Sequence, residues 1–197
     1  MGSVTEVAVT ACMGAVVAYA AFGDGRLRKN LAIIRKYRPV HFLTNIPIIA
    51  SVITAAMLLN KYVPFMDKNP LLWILSFFFD GDGTGGANLI FSGLQWKWYA
   101  LIFLPVLTLA LPYLAEIEER SFREGTRNWK HGIVRSIRFG LEHLIMMISI
   151  GTAIALIIGG LWFTYQYFKG GCERSTTYHA AYNTMLVTLA FAAVILS

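Results

Sequence analysis

Five stretches of sixteen or more residues contain no Asp, Glu, Lys or Arg: residues 7–22, 43–59, 99–114, 144–168 and 178–197. Nothing constrains the chain more. Long uncharged apolar runs belong in a bilayer, and there only helices or closed barrels satisfy every backbone polar group. The composition agrees. A soluble domain carries roughly a quarter charged residues, whereas this chain has 14% charged and 56% hydrophobic residues. The expected fold class is all-α, a polytopic membrane helix bundle of about five to six transmembrane helices. All 197 residues form one membrane domain.

The net charge of +6 is arranged in a way that excludes a nucleic-acid partner. Twelve of the seventeen Lys and Arg residues lie within 26–38 and 120–138, both between apolar runs. This is the positive-inside pattern. It places the basic loops 23–42 and 116–138 in the cytoplasm and the N-terminus outside. The C-terminus then falls inside, provided 71–95 does not cross. Cys12 and Cys172 share no spacing that indicates a disulfide or a zinc knuckle. No basic segment precedes the first apolar run, so no cleaved signal peptide is expected.

The run 7–22 is rich in Ala, Gly and Val, which suits close helix packing. Residues 71–79, "LLWILSFFF", are too short to cross and read as an interfacial or re-entrant helix. "DGDGTGGAN" follows. It places Asp80, Asp82 and Thr84 as the start of a calcium loop would, but position twelve is Phe91 where a Glu is required, so it reads as a Gly-rich turn. Trp96, Trp98 and Tyr99 resemble an aromatic belt. Pro105 and Pro112 offer kinks in the next span. Between 116 and 138, Ile117, Phe122, Trp129, Ile133 and Ile137 recur at helical spacing, predicting an amphipathic helix after a turn near Gly125.

Ionisable and amide side chains at the membrane boundary stand out, because a bilayer tolerates them only in cavities or with partners. In "AEIEERSFREG" the pairs Glu116–Arg120 and Glu119–Arg123 are i,i+4 with the acid first, the favourable order. Glu118 is left without a cation on its own face. His179 and Asn183 in "HAAYN" share a face one turn apart, and both can donate a hydrogen bond to one point. Phe139 and His143 in "FGLEH" share a face in the same way. No "HExxH" or equivalent pair is present to hold a metal.

"EERSFREG", "FGLEH" and "HAAYN" in this order match the motifs EExxFRxG, FxxxH and HxxxN. The chain resembles the CPBP family, the CaaX-protease and bacteriocin-processing enzymes related to the Ras-converting CaaX endopeptidase. The resemblance makes about 99–197 the family-like core and 1–98 accessory helices. It implies a glutamate-type intramembrane protease acting on a membrane-associated peptide or protein, without metal or other cofactor. Glu118 and His143 would activate water, His179 and Asn183 would hold the oxyanion, and Glu119 and Arg123 would support them. The chain departs from the pattern in its polar Arg120 and Ser121, in Lys130, Arg135 and Arg138 ahead of "FGLEH", and in Glu142, which competes for His143.

A single crossing by 144–168 would begin His143 and His179 on the order of 30 Å apart. The loop "KGGCERSTT" leads to the last span, and convergence requires His143 to be carried inward and "GGCERSTTY" to dip back toward the cavity, with a kink at Gly159–Gly160 to help. The alternative to an enzyme is a catalytically inactive scaffold or accessory subunit. It would bind a partner membrane complex, its histidines packing or ligating a pigment or haem.

Overall fold

Apolar runs without charge become helices because the helix closes its own backbone hydrogen bonds and turns its side chains outward. The computed structural model describes residues 4–72 and 97–196. The helix expected at 71–79 falls mostly outside the described residues. The Gly-rich turn and Trp96 fall wholly outside them. The elements are α1 (Val4–Phe22), α2 (Arg26–Ile34), α3 (Pro39–Tyr62), α4 (Lys97–Arg123), α5 (Trp129–Glu142) and α6 (Ile150–Leu196). One 3-10 turn, Gly23–Gly25, joins α1 to α2, and another, His143–Met146, follows α5. The molecule is an all-α bundle. Three helices, Pro39–Tyr62, Trp98–Arg123 and Ile150–Leu196, are long and apolar enough to cross a membrane.

Local chemistry sets the ends. Arg38 is extended (φ −129°, ψ 153°), as a residue before proline must be, and Pro39 opens α3 where its missing N–H costs nothing. At the α1–α2 corner the buried Asn30 donates to the Ala20 carbonyl at 3.0 Å and the Ala21 carbonyl at 3.3 Å. One face of α1 (Val17, Ala20, Ala21) packs with α4 residues including Ala100, Leu104 and Leu107, as its small-residue composition predicts. Helix α4 runs through Pro105 and Pro112 without a break.

The apolar residues expected to pack in 116–138 mostly do not. Trp129, Ile133 and Ile137 are exposed, as is Ile117, and only Phe122 of the set is buried. The packed face of α5 is instead Gly132, Ser136, Phe139 and Gly140. Small residues let α5 lie against the first half of α6. A Cβ on Gly140 would run into the Ala153 carbonyl, and Ser136 shares a hydrogen bond with Thr164 at 3.1 Å. The Trp129 and Phe168 rings meet at 5.1 Å. The two helices therefore form an antiparallel hairpin that starts and finishes at one end of the bundle.

Helix α6 is broken, but not at Gly159–Gly160, which stay helical. The break is at Gly170–Gly171, where Gly171 has φ +68° and ψ −169°, a conformation essentially reserved for glycine. The segment read as a loop, "KGGCERSTT", is otherwise helical. There the chain reverses beside the basic loops: Lys36 pairs with Glu173 at 2.6 Å, and Tyr167 receives the Gly125 N–H at 3.2 Å. The second half of α6 then runs away from that end, so the last helix finishes opposite the basic loops.

Two buried asparagines lock the frame. Asn45 of α3 donates to the Tyr178 carbonyl at 2.9 Å and accepts from the Trp162 indole at 2.8 Å, tying both halves of α6 to α3. At the other end Asn69 donates to the Leu144 carbonyl at 3.0 Å and to that of Ile148, while its own oxygen accepts the Leu71 and Leu72 N–H groups.

Candidate active site

The hairpin removes the obstacle to convergence. Because α5 descends into the bundle before α6 returns, His143 sits at depth, one helix-length in from the basic end. His179 lies eight residues past Gly171 on the descending half of α6, and Glu118 five residues before the end of α4. Glu118, His143, His179 and Asn183 all line one cavity of about 280 Å³. The rest of its wall is mostly apolar, including Leu111, Met146, Leu156 and Leu186.

His179 is the hub. Its Nδ1 stands 2.9 Å from Glu119 Oε1, and its Nε2 lies 3.7 Å from Glu118 Oε2. The ring stacks on Phe163 (centroids 4.2 Å apart, planes at 18°) and meets the edge of Phe139 at 5.6 Å. An ionised carboxylate only accepts, so Nδ1 carries a proton and the Nε2 atom faces the cavity and Glu118. His143 is fixed differently. Its Nδ1 lies 2.7 Å from the Phe139 carbonyl. A carbonyl also only accepts, so Nδ1 donates and Nε2 is left with a lone pair when the ring is neutral.

Glu119 and Arg123 form the expected i,i+4 pair, at 3.4 Å and with both side chains at 0% exposure. Arg123 also donates to the Gly160 carbonyl at 3.2 Å and lies 4.3 Å from the centre of the Phe139 ring. A buried guanidinium and carboxylate are tolerated because each offsets the other. The pair holds Glu119 in place, and Glu119 holds His179. Glu118 Oε2 is buried without a hydrogen-bond partner among the described residues, as are Glu119 Oε2 and Arg123 Nε and Nη1, but of the two carboxylates only Glu118 lines the cavity. The 3.7 Å gap to His179 is too long for a direct bond. Such a gap suits a bridging water or substrate atom.

Asn183 lines the cavity one turn beyond His179, and no hydrogen bond to its side chain is found among the described residues. Glu142 does not compete for His143: it is held by Arg138 on the outer face. Among the described residues no three His, Cys, Asp or Glu side chains stand close enough to hold a metal ion. Sequence reasoning missed Phe163 and Asn45. Phe163 sits in an apolar run with nothing to mark it. Asn45, an amide inside a charge-free run, carries the same signal that singled out His179 and Asn183. No family model, curated protein or solved structure matches this chain.

Proposed function

We propose that the chain is a multi-pass intramembrane endopeptidase of the CPBP type. It hydrolyses a peptide bond of a membrane-associated peptide or protein with water activated by Glu118 and His143. The observation that carries this reading is the unpartnered, buried Glu118 oxygen at a cavity shared with His143, His179 and Asn183. An acceptor left without a partner in an apolar bundle costs stability, and a site that must take a proton from water has a use for one.

In this mechanism water hydrogen-bonds to Glu118 and to the free Nε2 of His143. Glu118 takes a proton as the oxygen adds to the substrate carbonyl carbon. The oxyanion is held by the Asn183 amide and by His179 Nε2. Since His179 Nδ1–H is already committed to Glu119, Nε2 donates only when the ring carries both protons. Glu119 therefore has a specific job: it holds Nδ1 so that Nε2 is turned toward the place where the oxyanion forms. Collapse of the tetrahedral intermediate breaks the C–N bond, and the proton on Glu118 passes to the leaving amine. Glu119 and Arg123 are positioning residues in this scheme.

The positive-inside rule puts the basic end of the bundle in the cytoplasm, with Gly170–Gly171 beside it. The N-terminus then lies outside. A scaffold whose own side chains packed this space shut would leave no cavity there, and about 280 Å³ is left between Glu118, His143, His179 and Asn183.

The test compares protein termini in membranes from cells expressing the wild-type chain and cells expressing Glu118→Gln. New termini found only with wild type, and lost by roughly a hundredfold or more in His179→Ala and Asn183→Ala, support the assignment. Identical termini in wild type and Glu118→Gln overturn it.

A further inference from the structure

A second cavity, of about 570 Å³, lies where the connection between α2 and α3 meets the break in α6. It is separate from the site above and has a different chemistry. Lys36, Arg38 and His41 line it from one side, and Lys169, Arg174 and Tyr178 from the other. Its carboxylate, Glu173, is already paired with Lys36 at 2.6 Å. No carboxylate pairs with Arg38, Lys169 or Arg174 among the described residues. Arg174 is directed by a hydrogen bond to Gln166 at 2.9 Å and packs 5.2 Å from the Tyr178 ring centre. The His41 ring meets the same tyrosine edge-on at 4.6 Å.

Basic residues at a membrane edge are ordinary. Here, however, three cations without acidic partners converge from two separated segments on one concavity. Like charges held together in that way cost energy unless an anion sits among them. The wall continues into an exposed apolar face of α3, through Val40, Leu43 and Ile46, which are 47%, 64% and 51% exposed. A charged recess opening onto an apolar helix face has the shape of an amphiphile's binding site.

We propose that this cavity binds the phosphate of an acidic lipid headgroup, with the acyl chains lying along α3. The phosphate accepts from Arg38, Lys169 and Arg174, and the site holds whether or not the chain is a peptidase.

The test uses the full chain in an uncharged detergent, with dioctanoyl phosphatidic acid as probe and inorganic phosphate as competitor. Saturable binding is expected. Arg38→Gln and Lys169→Gln should each weaken it about fivefold, and Arg138→Gln, on the outer face of α5, should not. Both pocket side chains are exposed and off the packed faces, so the variants should stay folded, which an unchanged Tm checks. Inorganic phosphate binding as tightly as the lipid supports the phosphate site and assigns it to a soluble ligand. No saturable binding, or equal weakening by Arg138→Gln, overturns the proposal.

Discussion

Two ion pairs on α4 have the same spacing, the same order and nearly the same position, and opposite surroundings. Glu119 and Arg123 are both fully buried. Glu116 and Arg120, three residues earlier, are 32% and 60% exposed and meet at 2.8 Å. An offset of three residues turns the pair by about 60° around the helix, enough to move it from the outer face to the inner one. On the outside the pair is one option among many for charges that solvent or headgroups also satisfy. On the inside each charge is the other's main compensation, and the position of His179 depends on both. Spacing therefore announces a pair, but the neighbours decide what the pair is for.

The largest effect should come from breaking the inner pair. Arg123→Met leaves Glu119 buried without its counter-charge, with His179 and Ser175 as its remaining partners, and should cost about 3–5 kcal/mol. The double variant Glu119→Gln/Arg123→Met removes both charges and should recover part of that loss. Thermal unfolding in detergent of wild type, Glu119→Gln, Arg123→Met and the double variant completes the cycle. A double variant no more stable than Arg123→Met would mean that the pair is not coupled.

A neutral group in the same interior should matter less. Asn45→Leu deprives the Trp162 indole and the Tyr178 carbonyl of their partners, at about 1–3 kcal/mol. Since Tyr178 precedes His179 and Trp162 precedes Phe163, cleavage should fall along with Tm. A loss of activity without a loss of stability would show Asn45 acting on the site alone.

How far the sequence carries the reader follows from the same distinction. Charge-free runs foretell helices because the bilayer leaves no alternative, and i,i+4 spacing foretells Glu116–Arg120 and Glu119–Arg123 because one helix turn settles it. The meeting of Glu118 with His179 is not local. It depends on the reversal at Gly170–Gly171, and His143 joins them only because Gly132, Ser136 and Gly140 let α5 sink against the first half of α6. In the sequence those residues are outshone by Trp129, Ile133 and Ile137, whose period is just as helical but which face outward. Gly170–Gly171 and Gly159–Gly160 look alike as dipeptides. Only tertiary packing shows that the first reverses the chain and the second stays helical.

Glu142 tests whether adjacency in sequence matters at the site. It follows Leu141 and precedes His143, but Arg138 holds it outward, and His143 is fixed by the Phe139 carbonyl. Glu142→Gln should change cleavage by less than about twofold, within the range of ordinary surface substitutions. A loss as deep as that of Glu118→Gln would place Glu142 at the site after all.

The smallest effect belongs to the outer pair with which the comparison began. Arg120→Gln removes both the 2.8 Å and 3.0 Å contacts to Glu116, yet exposed pairs are worth little and are screened by salt. Its Tm should match wild type within error at about 0.5 M salt, with at most a small deficit near 0.02 M. Arg123→Met should keep its full deficit at both, because mobile ions do not reach a buried charge. If salt moved the two variants alike, burial would not be what separates them, and the difference between the inner and outer faces of α4 would need another cause.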